Sequence, residues 1–259
     1  VTLTPELTRL VEDLRSPDPA VRDEGAYLAL AHRAEDGGLD DHLVELGDRA
    51  VGLLRDEAVQ ARTFGALLLA LVAGRDNATG RADDAAVRGW LAAFLEWYAA
   101  EPDTRGHDEE LGWLHAVAHG ADAAGELAGS PRLGGDDLTA LLAALVDRTV
   151  AESSTHWLQA EDDRVAYAVM AVLQRDLVAP GEVRRQVDRL AAAWLDAPGP
   201  LSPAADNALR LAHALRLQLA TGVRYAEDGE LLRPAIGGEV EAALTTALAA
   251  RHPFLGSPS

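Results

Sequence analysis

The chain predicts an all-α fold, a HEAT- or armadillo-like α-solenoid of roughly eleven helices spanning residues 1–259 as a single domain. Three observations carry this expectation. Ala and Leu make up more than a third of the chain and isoleucine occurs once, at Ile236, a bias toward helix formers and away from β-branched strand residues. Apolar residues recur at helical spacing in segments of about 12–20 residues between short breaks. An arginine followed by small and aliphatic residues recurs along the chain: Arg22 ahead of Ala26 and Leu30, Arg62 with Ala66 and Leu69, Arg164 with Ala168 and Val172, Arg210 with Ala214 and Leu217. The intervals from Arg22 to Arg62 and from Arg164 to Arg210 lie near the ~40–47 residue period of HEAT and armadillo hairpins, whose neighbours stack to bury their apolar faces.

In chain order, Thr4-Pro5-Glu6 reads as an N-cap with proline at the first helical position. Ser16-Pro17-Asp18-Pro19 ends that helix and opens the next. Further breaks are expected near Gly37-Gly38, Gly74 to Gly80, Glu101-Pro102-Asp103, Ser130 to Gly135, Pro180-Gly181, Pro198 to Pro203 and Gly237-Gly238. No segment combines strand alternation with turn chemistry.

Composition excludes several chemistries. Lysine and cysteine are both absent, which removes Schiff-base and pyridoxal-phosphate catalysis, the phosphate-loop lysine, thiol nucleophiles, disulfides and cysteine-held metals. A chain free of cysteine fits a reducing compartment. The net charge of −19 argues against nucleic acid as partner and favours a cationic one if it steers anything. The first residues, Val1-Thr2-Leu3-Thr4, have neither the basic nor the apolar region of a signal peptide, and the longest apolar stretch, Phe64 to Gly74, is too short for a bilayer. The expectation is a cytoplasmic protein without membrane contact. The Ala-, Arg-, Gly- and Asp-rich, lysine-free composition is what GC-rich coding tends to produce and hints at an actinobacterial type of source; a role in secondary metabolism is an expectation that composition does not establish.

Chemistry concentrates in the segment from Arg105 to Asp122, which holds three of the eight histidines, an arginine, a tryptophan and several carboxylates. The segment reads as a loop, Asp103-Thr104-Arg105-Gly106, entering a helix from about His107 to Leu127. On such a helix His115, His119 and Asp122 fall within about 60° of one another, and Asp108 and Glu126 join the stripe. Four readings compete. His115, His119 and Asp122 could ligate a metal, but no second ligand-bearing helix is recognisable, so none is assigned. The histidines could work as acid or base, oriented by Asp122 or Asp108, with Arg105 or Arg62 holding an anionic group. The network could be structural, locking an irregular repeat. A solvated face is disfavoured by Ala116, Val117 and Ala118. Trp113 is grouped with the ligand-binding residues, although a regular helix turns it away from the stripe by about 120–180° and suits it to packing.

The run Arg-Gly-x-Asp-x-x-x-Gly-Trp-x-His-x-x-x-His-Gly-x-Asp resembles the signature of a bacterial family catalogued as domain of unknown function 2785. Arg62-Thr63-Phe64, Glu101 and Asp103 ahead of Arg105, and Asp163-Arg164 also resemble its pattern. The resemblance implies an all-helical domain and brings no established activity. One departure is His107, which stands where the family pattern has an aromatic residue, usually tyrosine.

The remaining candidates read as ordinary. His32, His42, His213 and His252 are scattered singly, and Thr155-His156-Trp157 has no partner at fixed spacing. Ser153 and Ser202 read as caps, Glu161-Asp162-Asp163 as a solvated helix start, and Trp90, Trp97 and Tyr98 as core. The leading functional expectation is a cofactor-independent acid/base enzyme acting on a small molecule by ring closure, elimination or proton transfer. Its catalytic groups would be His115, His119, Asp122 and Asp108, and its substrate-binding groups Arg105, Arg62 and Trp113. The alternative is a non-enzymatic scaffold that binds a partner protein along its groove.

Overall fold

Thr4 and Ser202 cap helices as expected, and Asp83, which was not singled out, caps a third. The Thr4 hydroxyl accepts from the Leu7 amide at 3.2 Å ahead of Pro5, Asp83 accepts from Ala86 at 2.8 Å, and Ser202 accepts from Ala205 at 3.3 Å ahead of Pro203. Each satisfies an amide that the first turn leaves without an intrahelical partner. The computed structural model describes residues 2–197, 199–224 and 229–251; Pro198 and His252 lie outside them.

Among the described residues the protein is all-α, with eleven α-helices. Helix α1 (Pro5–Asp13) is followed by a π-helix (Ala20–Tyr27) that runs directly into α2 (Leu28–Glu35), then α3 (Leu43–Leu53), α4 (Val59–Thr79), α5 (Asp84–Ala100) and α6 (Ala116–Gly129). After these come α7 (Gly135–Val150), α8 (Glu161–Gln174), α9 (Pro180–Leu195), α10 (Pro203–Thr221) and α11 (Gly237–Arg251). The break expected from Gly74 begins later: α4 continues through Gly74, against which the Glu126 side chain packs, and ends at Gly80 in the left-handed conformation. No helix among the described residues is long and apolar enough to cross a membrane.

The chain divides after Leu133 into two compact units. In the first, α3 and α4 pack together, α5 packs on α3, and α6 packs on both α4 and α5. Helix α4 is the centre: Phe64, Leu68, Leu69 and Val72 are buried along it, each contributing about 1.5–3 kcal/mol of apolar burial. In the second unit, α7 packs on α8 and α9, α10 packs on α8 and α9, and α11 covers α9 and α10. Val165, Val169, Trp194 and Leu211 are buried there.

The helix expected from His107 to Leu127 is not formed over its first half. His107–Asp108 and Gly112–Trp113 pair as a short antiparallel hairpin, and α6 starts only at Ala116. Strand pairing was not expected here, and the local physics explains it. The Asp108 carboxylate accepts from the Glu110 and Leu111 amides at 3.0 Å each, a turn that competes with helix hydrogen bonding. Gly112 has φ +71°, and a Cβ there would lie 2.8 Å from Pro19 Cγ. His115 itself is left-handed (φ 48°) as the N-cap residue of α6.

Candidate functional site

The π-helix and the 107–113 hairpin form the two walls of a cleft of about 560 Å³ in the first unit. One wall presents Asp23, Glu24 and Tyr27; the other presents His107, Glu109, Glu110 and Trp113. A π-helix is rare and is frequently found at functional sites, and a cleft of this size falls in the range of small-molecule sites.

Arg22 holds the two walls together. Its side chain is fully buried and its Nε donates to Asp23 at 2.6 Å. One terminal nitrogen donates to the Ser16 carbonyl at 3.1 Å, and the other to the carbonyls of Leu111 at 2.7 Å and Trp113 at 3.3 Å. The guanidinium also lies 4.7 Å from the centre of the Phe64 ring, a cation–π contact. Burial pushes the Asp23 carboxyl up; the hydrogen bond from Arg22 opposes this and the nearby Glu24 charge adds to it.

Behind the hairpin the rings form a continuous arch. His107 lies 4.8 Å from Trp113, Trp113 lies 4.6 Å from His115, and His115 lies 5.7 Å from His119. His119 then meets Phe64 at 5.2 Å, and Phe64 meets Tyr27 at 6.1 Å. The arch thus begins and ends on the cleft walls, at His107 and Tyr27. His115 and His119, 9% and 6% exposed, sit in its middle. His119 Nδ1 is 3.2 Å from the Thr63 carbonyl; a carbonyl only accepts, which places the ring proton on that nitrogen.

The expected stripe is therefore redistributed. His115 and His119 remain neighbours, because an N-cap still lies one turn from the fourth helical residue. Asp122 and Glu126 stay on α6, whereas Asp108 leaves it for the hairpin. Trp113, expected to turn away, instead stacks edge-on to His115, since the hairpin pairs it with His107 and leads it into the α6 cap.

The two arginines expected to hold a substrate are occupied by protein groups. Arg105 pairs with Asp103 at 2.5 Å and with Asp108. Arg62 makes a bidentate pair with the buried Glu101 at 2.6 and 2.8 Å and donates to the Asp56 and Glu57 carbonyls. The Trp97 indole reinforces Glu101 at 2.8 Å. Asp108 is held below the ordinary carboxylate range, first by the Leu111 and Glu110 amides and then by the Arg105 charge. At Asp103 burial acts upward, but hydrogen bonds from Arg105 outweigh it and hold that carboxyl low.

Several residues were given no functional part on sequence grounds. Arg22, Asp23, Glu24 and Tyr27 read only as a repeat helix, and nothing in their spacing announces π-geometry. In the second unit His156, which has no partner at fixed spacing, meets the distant Asp206 at 3.1 Å, and Arg210 also bonds that carboxylate at 2.8 Å. Glu161 is not solvated: it is buried, and its carboxylate accepts from the Gln159 amide at 2.8 Å. Among the described residues, no group of three or more His, Cys, Asp or Glu side chains is placed to hold a metal ion.

A family model described as a protein of unknown function (DUF2785) matches residues 50–217. The chain belongs to that family. The matched span contains the hairpin, the histidines and α4, while the π-helix wall lies ahead of it. The family motif takes on a local meaning in this setting. Arg105 clamps the hairpin, the Gly106 carbonyl accepts from the Leu114 and His115 amides, Asp108 makes the turn, and Gly112 clears Pro19. Gly120 lets α6 approach the Tyr98 ring, where a Cβ would stand 2.3 Å away. No curated protein matches the chain. A crystal structure of an engineered protein aligns over 95% of this chain and 96% of its own with 15% identity and a TM-score of 0.43, a likeness that carries no argument.

Proposed function

We propose that this member of the family binds a small molecule in the cleft between the π-helix and the 107–113 hairpin. One observation carries the reading: a concave space of about 560 Å³ bounded by Tyr27, His107 and Trp113. Trp113 is 42% exposed, whereas the other four tryptophans are 6% exposed or less. A large aromatic left open on a tightly tethered hairpin supplies contact area at little conformational cost. In this reading His115 and His119 support the aromatic walls from behind, and Arg62 and Arg105 brace the loop that carries the hairpin.

The acid/base reading is kept on a different imidazole. His107 lines the cleft and would be the group that exchanges a proton with a bound substrate; the buried pair stands behind Trp113. The HEAT-like architecture is likewise a proposal, supported within each unit by the pairing of alternate helices, α3 with α5 and α4 with α6, α7 with α9 and α8 with α10. Arg62 and Arg164 are each the fourth residue of their helix, as His119 is of α6, whereas Arg22 is the third of the π-helix and Arg210 the eighth of α10.

The test is a screen of chemically mixed small molecules followed by tryptophan emission, with Trp113→Phe as control. Ligands of the cleft change emission in the parent protein and not in the variant. A screen in which no compound changes Trp113 emission overturns the reading.

A further inference from the structure

Resting on that reading of the cleft, we infer that its ligand is a small organic cation of the alkylammonium type. The two walls bring four carboxylates to one space, Asp23 and Glu24 from the π-helix and Glu109 and Glu110 from the hairpin. No arginine lines it, and the chain has no lysine. Arg22, next to Asp23 in the chain, is fully buried and faces Asp23, three backbone carbonyls and the Phe64 ring. Among the described residues Glu24, Glu109 and Glu110 form no ion pair.

Acidic side chains alone would describe an ordinary solvated surface. Here they surround a concavity faced by Tyr27, Trp113 and His107. Aromatic faces are electron-rich, and a partly desolvated ammonium placed over tryptophan or tyrosine is attracted to the ring as well as to nearby carboxylates. An anion meets four like charges in the same space, and a neutral ligand gains only the ring contacts. Burial and the Glu24 charge both raise the cost of ionising Asp23, a cost that a bound cation lowers.

The experiment titrates the intact chain with choline and with its neutral isostere 3,3-dimethylbutan-1-ol, read by Trp113 emission and calorimetry. A set of small carboxylates serves as the anionic arm. Choline is expected to bind saturably and at least about tenfold more tightly than the isostere. Its affinity should weaken between about 0.05 and 0.5 M sodium chloride, as exposed charge pairs do. Glu109→Gln with Glu110→Gln, both exposed positions, should weaken choline about tenfold with unchanged melting temperature. Trp113→Phe should remove the emission change, while calorimetry still detects the bound cation. Equal binding of choline and isostere, preference for a carboxylate, or indifference to the glutamine pair overturns the cation and leaves the cleft standing. Silence from all three arms overturns both.

Discussion

Removing the buried guanidinium at position 22 tests the account of how the cleft is held. Arg22→Met keeps the aliphatic stem and deletes the charge. The Leu111 and Trp113 carbonyls, bonded at 2.7 and 3.3 Å, lose a donor, as does that of Ser16 at 3.1 Å. Each net hydrogen bond is worth about 0.5–1.5 kcal/mol. The contact with Phe64 adds about 0.5–2 kcal/mol. Asp23, whose side chain is 22% exposed, loses its partner but recovers part of its hydration. The sum is about 2–6.5 kcal/mol, a range that brackets the cost of breaking a buried charged pair, and its middle corresponds to a melting temperature lower by on the order of 10 °C. Urea and thermal unfolding followed by circular dichroism give the magnitude. Hydrogen exchange at the Leu114 and His115 amides, which bond to Gly106, reports on the hairpin and should accelerate. Adding Asp23→Asn should recover part of the loss, because it removes the stranded charge. A loss under about 1 kcal/mol, with those amides unchanged, would refute the tether.

Gly112→Ala should cost about 1–3 kcal/mol and disturb the hairpin, since the residue has positive φ and a methyl group would press on Pro19; unfolding titration measures it. Arg62→Ala strands Glu101, which is 4% exposed, and should cost about 3–5 kcal/mol; calorimetric melting checks this. Asp108 gives a pH prediction. Its carboxyl is lowered in the folded chain, so its contribution is present above the ordinary carboxylate value and is lost as pH falls through the lowered one. Melting temperature measured from about pH 4 down to about pH 2 should fall less steeply in Asp108→Asn.

Much of the helical frame was legible because capping and breaking act locally. Thr4, Ser202 and the glycine and proline punctuation set helix ends through contacts a few residues away. The burial of Trp90, Trp97 and Tyr98 was equally plain. The hairpin was not, because its cause is divided. Asp108 competes for amides that a helix would use, Gly112 needs a left-handed backbone, and the Leu111 and Trp113 carbonyls are held by Arg22 from a distant segment. Ala116 to Leu127 is periodic, and extending that period backwards places His107, Asp108 and Trp113 on a helix they do not join. The histidine pair survived the error, since one turn separates the cap from the fourth helical residue in either geometry. The cleft was illegible for a further reason: one wall is a π-helix, and composition gives no signature for hydrogen bonds that skip to the fifth residue.

The central claim is that a ligand occupies the space beside Trp113. It is tested most directly by the difference in tryptophan emission between the parent chain and Trp113→Phe during titration with choline. The account predicts a saturable change carried by Trp113 alone, since the other indoles are buried. A change that persists undiminished in Trp113→Phe would place the ligand elsewhere and contradict it.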